Sequence, residues 1–457
     1  MHKFDFFLSE VYIWLQTFYF MAGYRYLSEI GLKNMLNSAE PLPASGINWK
    51  QNLFVIWLSQ FLAMVGFGCC MPFIPLLLKE NLHIDDENLR GVYVSIYYLA
   101  AMVSLCIATA VWGMLADRFG RKLMLLRASY AAALFYPLLA LAPNFWVLAT
   151  IRFVCSFFSG TVNPAQTLLI ATTPSEKHGF VLGVLSTATS SGNMLGYLLG
   201  GVVVHYYGYT TAFFTCGGIY LASALLVQFF AKDDFNVKLV KKRREKSKFK
   251  FREVATPAVI WLLVLFLCFG VANRLVQPYM ALLVETIHGF KGAAFFTGIV
   301  SAASSVGGFF AGLCVGWLCD RLAPRKLLLP ILIAGAAFTG AMALSRNVEM
   351  LILTRFLSAF AVSGIQPVLQ LMLTKITRPE LRGTYFGWSG SINTAGGIIC
   401  SFLGGGVVWL SGVRGVYIAS ALILALMIPL MLPAVIAMKK EFIVDPDATA
   451  KDLKKQE

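Results

Sequence analysis

Long, nearly uninterrupted runs of apolar residues recur along this chain, each bounded by charged or turn residues. Because about 20 apolar residues cross the hydrocarbon core of a bilayer as one helix, each run predicts a transmembrane helix. The runs form two sets of six, so we predict an all-α integral membrane protein with 12 transmembrane helices. They lie near 52–78, 91–116, 123–141, 145–170, 179–207 and 211–231, then near 257–284, 292–318, 327–345, 348–373, 383–410 and 414–437.

The composition agrees with a protein that lies mostly in lipid. Of 457 residues, 58% are apolar and 13% are charged, whereas soluble domains carry about 25% charged residues. The net charge of +15 does not indicate a nucleic-acid partner, because the basic residues concentrate at the ends of the apolar runs. All nine cysteines lie in apolar runs without a C-x-x-C pair. We therefore expect no disulfide framework, no metal site and, without an ATP-binding motif, no cofactor.

A charged stretch between the two sets of runs divides the chain into halves. We expect this stretch to be a basic cytoplasmic linker that lies at anionic lipid headgroups. The expected units are an N-terminal extension 1–46, an N-terminal six-helix bundle 47–231, the linker 232–256, a C-terminal six-helix bundle 257–437 and a cytoplasmic tail 438–457. The extension is interpreted either as an interfacial helix or as a mis-assigned start, with Met35 the preferred first residue.

The distribution of basic residues predicts the orientation in the membrane. Cytoplasmic loops collect Lys and Arg, and the loops on the side of the two termini hold most of the 38 Lys and Arg residues. The opposite loops hold only Lys79, Arg90, Lys291, Arg346 and Arg414. We therefore predict that both termini are cytoplasmic, and we expect a multi-pass protein of the cell inner membrane.

The two halves repeat each other at a nearly constant offset. The matching positions are Gly113 with Gly316, Asp117 with Asp320, Arg118 with Arg321, Arg152 with Arg355, Gly192 with Gly396, and Pro72 with Pro278. Such repeats are typical of transporters built from two homologous bundles, with a substrate path at their interface. The repeat predicts two homologous six-helix bundles that open the path to alternate sides.

A glycine-rich, charged loop follows the second run. Its residues are Gly113, Asp117, Arg118, Gly120, Arg121 and Lys122, and a partial copy in the second half holds Asp320 and Arg321. Gly120 permits a tight turn, and Asp117 can face the positive N-terminus of a helix. The pattern resembles the G-x-x-x-D-R-x-G-R-K signature of the major facilitator superfamily, which implies the fold of that superfamily and a gating role for the loop. The alternative is an ordinary cytoplasmic turn.

The fifth run carries small residues four positions apart. Gly192, Gly196, Gly200 and Gly201 resemble the antiporter motif of exporters in this superfamily, with Tyr197 where that motif has Pro. The resemblance favours export. The same spacing also suits a simple packing groove, since small residues let two helices approach closely.

Charged and amide side chains within the runs are candidates for proton coupling or for the substrate path. The candidates are Arg152, Arg274, Gln277, Glu285, Arg355 and Gln366. Arg152 is similar to the arginine that is implicated in proton transfer in the superfamily. No carboxylate falls at mid-span, so Glu285 at the outer end of the seventh run is the preferred acid, with a rim charge as its alternative. Buried cations without acids favour neutral, anionic or zwitterionic cargo.

The resemblance extends from about residue 47 to 435 and is strongest to the drug:proton antiporter subgroup of multidrug exporters. It implies a monomeric secondary exporter of small amphiphilic or anionic compounds that works by alternating access with protons. The alternative is a proton-coupled importer of an organic acid, a sugar phosphate or a siderophore. An intramembrane enzyme is not expected, because it requires acids, histidines or a Cys/His pair at membrane depth.

Overall fold

The computed structural model describes residues 48–174, 177–233, 256–377 and 382–444. The expected N-terminal extension, most of the linker and most of the tail lie outside these residues. Within the described ranges the chain forms α-helices and 3₁₀ turns and no strand. The predicted all-α fold is confirmed.

The helices of the first half follow the predicted runs. They are Trp49–Cys70, Ile74–Glu80, Glu87–Phe119, Arg121–Ala140, Phe145–Phe158, Val162–Thr172 and His178–Phe230. Polar side chains fix where several of them begin, because the first N–H groups of a helix need acceptors. The Asn48 side chain accepts from the N–H groups of Lys50 and Gln51, and Asp86 accepts from those of Asn88 and Leu89.

The second half repeats this order. Its helices are Pro257–Val276, Met280–His288, Ala293–Arg321, Pro324–Ala343, Val348–Ser363, Ile365–Ile376 and Arg382–Val444. The first span of each half contains one 3₁₀ turn, Met71–Phe73 in one and Gln277–Tyr279 in the other. Each turn holds a proline, Pro72 or Pro278, which cannot donate a backbone hydrogen bond and so favours a break in the helix.

Ten continuous segments among the described residues are long and apolar enough to cross a membrane. Two of these are broken by a glycine, Gly208 with φ 81° and Gly412 with φ 70°. A positive φ is open to glycine but strained for other residues. Division at these two residues gives twelve segments, in agreement with the sequence. We number them span 1 to span 12 in chain order. Spans 1 to 6 are Trp49–Glu80, Glu87–Phe119, Arg121–Ala140, Phe145–Thr172, 178–207 and 209–230, and spans 7 to 12 are Pro257–His288, Ala293–Arg321, Pro324–Ala343, Val348–Ile376, 382–411 and 413–444.

The hydrophobic core is shared between the halves at one end and divided at the other. Towards the predicted outer end, one cluster joins both halves, with Phe73 and Tyr97 from the first and Leu282 and Tyr417 from the second. Towards the predicted cytoplasmic end, each half has a cluster of its own. Between the halves, span 2 contacts span 11 and span 5 contacts span 8. The halves are therefore joined most closely at the predicted outer end.

Candidate functional site

A polar cavity of about 410 Å³ lies where the two halves meet. Its volume falls in the range of about 300–1,000 Å³ that is typical of small-molecule sites. Span 5 of the first half contributes Asn193 and Tyr197, and spans 7 to 10 and 12 of the second half form the remaining walls. Those walls include Asn273, Gln277 and Arg355 together with several Ser side chains. No acidic residue and no Lys is among the described residues that line it.

Arg355 is the cation of this cavity. Its Nε atom is buried and has no hydrogen-bond partner, and it forms no ion pair with any acid among the described residues. A guanidinium in a membrane-spanning helix is costly unless something offsets its charge. The arrangement leaves this cation available to an anionic group in the cavity.

Span 5 uses two faces for two purposes. Three glycines of the antiporter-like motif, Gly192, Gly196 and Gly200, pack against span 1. A Cβ at Gly192 would lie 2.6 Å from the Phe61 carbonyl oxygen, and one at Gly196 would overlap that of Val65. Tyr197 lines the cavity instead. Its hydroxyl accepts a hydrogen bond of 3.2 Å from Gln277 Nε2 of the second half. The residue that replaces the motif proline thus links the two halves.

Gly201 points towards the second half rather than towards span 1. A Cβ on Gly201 would lie 3.2 Å from the Gly298 Cα on span 8. In turn, a Cβ on Gly298 would lie 2.6 Å from the Tyr197 carbonyl oxygen. Small residues permit this close approach of two helix backbones. Spans 5 and 8 are therefore in direct backbone contact on the outer side of the cavity.

Glu285 joins the halves at the predicted outer end. It accepts two hydrogen bonds from Arg90, with Nη1 2.6 Å from Oε2 and Nη2 3.1 Å from Oε1, and a third from Lys79 Nζ at 2.6 Å. Arg90 is only 2% exposed and the Glu285 side chain is 10% exposed. Charge-assisted bonds with this two-point geometry are among the strong ones. We call Lys79, Arg90 and Glu285 the outer ion-pair cluster.

Further contacts surround this cluster. Ser95 of span 2 and Tyr279 of span 7 share a hydrogen bond through their hydroxyls. Lys79 Nζ lies 4.8 Å from the centroid of the Phe290 ring, within the range of a cation–π contact. These contacts, like the outer ion-pair cluster, lie between the cavity and the predicted outer loops. Each of them joins a residue of the first half to a residue of the second.

The remaining candidates on the predicted path lie outside the cavity lining. Arg152 is 6% exposed within the first half, with its guanidinium carbon 5.2 Å from the centroid of the Tyr97 ring. Arg274 lies between the halves, where Nη2 donates to Asn393 Oδ1 at 3.4 Å and Nη1 is 4.0 Å from Met102 Sδ. Gln366 is exposed in the helix Ile365–Ile376, away from the cavity. Among the candidates, only Gln277 and Arg355 line the cavity.

The charged loop after span 2 forms a sharp turn at Gly120, with φ 95°. The N-terminus of span 3 is capped from an unexpected position: Asp233 Oδ2 accepts from the backbone N–H groups of Arg121 and Lys122, both at 2.9 Å. The surroundings of Gly113 and the side chains of Asp117, Arg118 and Asp320 lie outside the described part of the structure. In the second half, the Arg321 guanidinium lies 4.0 Å from the centroid of the Trp317 ring.

Several site residues were not singled out from the sequence. Asn193, Asn273 and the Ser residues of the cavity are common in membrane helices and carry no charge that would mark them. Lys79 and Arg90 were assigned only to the outer loops. The available signal was the carboxylate Glu285 at the outer end of an apolar run, since a buried acid requires cations nearby.

Twelve helical segments in two similar halves with a cavity between them define a secondary transporter, and comparison with known proteins agrees. The model of the Major Facilitator Superfamily matches residues 56–348 and 292–455. The chain belongs to this superfamily, so the predicted resemblance is confirmed.

Among curated proteins, the multidrug resistance protein MdtG of Salmonella arizonae is 30% identical over 381 residues, which cover 82% of this chain and 93% of that protein. MdtG of Klebsiella pneumoniae is 29% identical over 377 residues, which cover 82% of this chain and 91% of its own length. The chain thus resembles multidrug resistance proteins of the MdtG type.

Solved structures confirm the fold. A bacterial homolog of the human lysosomal transporter Spinster superposes with a TM-score of 0.68 at 15% identity, covering 85% of this chain and 97% of that one. The nucleoside transporter NupG superposes with a TM-score of 0.63 at 13% identity and covers 87% of this chain.

Proposed function

We propose that this protein exports small amphiphilic or anionic compounds across the cell inner membrane by alternating access, in exchange for protons. The observation that carries the proposal is the outer ion-pair cluster, which ties Glu285 of the second half to Arg90 of the first on one side of the central cavity. A bond between halves on one side of a binding site is what a reversible gate requires. The names of the relatives, multidrug resistance proteins, favour efflux as the direction.

The predicted orientation indicates which conformation of the transport cycle the structure represents. With both termini in the cytoplasm, the outer ion-pair cluster lies on the outer side, and the divided cores lie on the cytoplasmic side. The protein is then in a state that receives cargo from the cytoplasm. Release outside requires the outer ion-pair cluster to separate.

Glu285 is proposed as the group through which protons act. When a proton neutralises its carboxylate, the attraction for Arg90 and Lys79 is lost, and the outer gate opens more easily. Removal of one partner from a buried ion pair costs about 3–5 kcal/mol, which is large enough to change the balance between two conformations. The proton enters from the outer side, so proton entry and cargo release are linked as in antiport.

Arg152 and Arg274 are proposed to support the helices rather than to bind cargo directly, since each has protein contacts. The basic linker 232–256 is proposed to lie at anionic headgroups, and the protein is proposed to function as a monomer.

Import is the second candidate, and the polar walls of the cavity favour it, because imported nutrients are often hydrophilic. Everted and right-side-out membrane vesicles distinguish the two directions. Energised everted vesicles that contain the protein are expected to accumulate cargo, and a proton ionophore is expected to abolish the accumulation. Accumulation in right-side-out vesicles alone would contradict export.

A further inference from the structure

The central cavity holds polar groups that the protein leaves without partners. Asn193 Oδ1 on span 5 is buried and accepts no hydrogen bond, and Arg355 Nε on span 10 is buried and donates none. Buried polar groups in proteins are nearly always hydrogen-bonded, so such groups require an explanation. Here an acceptor from one half and a cation from the other are found in the same cavity.

Other polar side chains of the cavity divide into satisfied and free groups. Thr339 and Ser358 share a hydrogen bond of 2.8 Å, and Ser420 Oγ donates to the Ala272 carbonyl oxygen at 2.9 Å. Among the described residues, Ser190, Ser305, Ser363 and Asn273 have no such side-chain partner. The free groups come from spans 5, 7, 8 and 10, so they surround the space instead of forming one patch.

We infer that the cargo of this cavity is a small hydrophilic anion that carries hydroxyl or amino groups, with its anionic group on Arg355 and a donor group on Asn193. This inference rests on the proposed transport function and narrows its cargo from amphiphilic compounds to polar ones. The cavity matches such a molecule in charge, because its one cation faces no acid among the described lining residues. It also matches in hydrogen bonding, because free hydroxyl and amide groups suit a polyhydroxylated molecule.

An apolar anion fits the cavity poorly. It satisfies Arg355 but leaves the buried Asn193 Oδ1 without a donor, and an unpaired buried polar group weakens binding. A neutral polyol has the opposite defect, because it leaves the buried guanidinium without a counter-charge. Since Arg355 and Asn193 belong to opposite halves, a molecule that binds both also connects the halves through the cavity.

The test compares ligands of similar size on the purified full-length protein in detergent. Gluconate and glucose 6-phosphate are hydrophilic anions with hydroxyl groups, sorbitol and glucose are neutral, and hexanoate is an apolar anion. Isothermal titration calorimetry is expected to give tighter binding for at least one of the two hydrophilic anions than for sorbitol, glucose and hexanoate. Equal affinity for all five compounds, or binding of none, would overturn the inference.

Variants then assign the binding to the cavity. Arg355→Gln is expected to weaken binding of the hydrophilic anion by about tenfold to hundredfold, and Arg355→Lys is expected to recover part of this loss because it retains the charge. Asn193→Val is expected to reduce the preference for the hydrophilic anion over hexanoate. Arg346→Gln, at an exposed residue in the loop before span 10, is the matched control and is expected to bind normally.

The result is independent of the direction of transport. If the hydrophilic anion binds through Arg355 but everted vesicles accumulate nothing, the proposed export is wrong and the cavity assignment stands. The opposite result is also informative. Suppose that everted vesicles accumulate amphiphilic drugs, and that thermal denaturation shows that Arg355→Gln and Arg355→Lys are folded. If these variants then bind gluconate and glucose 6-phosphate as well as the unmodified protein does, the cavity assignment is wrong.

Discussion

Arg90 and Glu285 form a two-point ion pair between the halves, with Arg90 Nη1 2.6 Å from Glu285 Oε2 and Nη2 3.1 Å from Oε1. Arg90 lies in the first turn of span 2 and Glu285 in the last turn of span 7, so the pair connects the outer ends of two helices that belong to different bundles. A buried pair of this kind contributes little net stability to a fold. Its proposed role is instead to hold the outer ends of the two halves together.

Glu285→Gln is therefore expected to weaken the closed outer end. The amide retains the size of the side chain but removes the charge, which leaves Arg90 buried without a counter-ion and destabilises the closed state by about 3–5 kcal/mol. A cysteine introduced at Ser305, in the cavity, reports the change, in a background with the exposed Cys106 and Cys314 replaced by serine. A membrane-impermeant maleimide added from the outer side should react with this cysteine several-fold faster in the variant.

Glu349→Gln is the control for this experiment, since Glu349 is an exposed acid at the start of span 10. It is expected to leave the maleimide rate unchanged. If Glu285→Gln also leaves the rate and the proton dependence of transport unchanged, the carboxylate is a rim charge and not a part of the gate.

The contact between spans 5 and 8 predicts a steric effect of a single methyl group. A Cβ at Gly298 would lie 2.6 Å from the Tyr197 carbonyl oxygen, whereas one at Gly312 on the same span meets nothing within 4 Å. Gly298→Ala is expected to destabilise the closed state by about 1–3 kcal/mol, and Gly312→Ala should change stability by no more than about 0.5 kcal/mol. Thermal denaturation in detergent measures both, and equal effects would contradict the contact.

The sequence predicts the spans well because lipid imposes one simple rule. A helix that crosses the bilayer satisfies the hydrogen bonds of its own backbone, so it needs a continuous apolar run. The length of each such run can be read directly from the sequence. The breaks at Pro72 and Pro278 have a local cause, since proline lacks a backbone N–H donor and so favours a break. Proline alone does not decide where a helix breaks, because Pro137 and Pro330 lie inside continuous helices. The spans themselves are predicted without knowledge of which helices meet.

The site depends on contacts that no local pattern contains. Glu285 binds Arg90 and Lys79 across 195 and 206 residues of chain. Arg274 and Arg355 look alike in sequence, as cations within apolar runs, yet Arg274 contacts Met102 and Asn393 while Arg355 faces the cavity. The difference comes from the rotation of each helix about its axis, which is set by packing against neighbouring helices.

Tyr197 and Gln277 are expected to be coupled energetically, because they share a hydrogen bond between the halves. In a double-mutant cycle with Tyr197→Phe and Gln277→Leu, we expect a coupling of about 0.5–1.5 kcal/mol in the free energy of unfolding in mixed micelles. Tyr207→Phe is the control, since Tyr207 is 71% exposed, and its coupling to Gln277→Leu should be close to zero. Strictly additive effects of the first pair would show that the bond contributes nothing.

Asp233 is expected to stabilise the start of span 3. Its Oδ2 atom accepts from the N–H groups of Arg121 and Lys122, and a carboxylate at this position also faces the positive end of the helix dipole. Asp233→Ala removes both effects and should cost about 0.5–2 kcal/mol. Asp233→Asn retains an acceptor but loses the charge, so its smaller cost should shrink further at high salt, which screens the dipole interaction.

Asp85, exposed in the loop before span 2, provides matched Ala and Asn controls with no expected effect. Thermal denaturation at low and high salt measures all four variants. If Asp233→Asn loses the same stability at low and high salt, the effect comes from hydrogen-bond geometry alone. If Asp233→Ala loses no stability, the Asp233 cap does not stabilise the start of span 3.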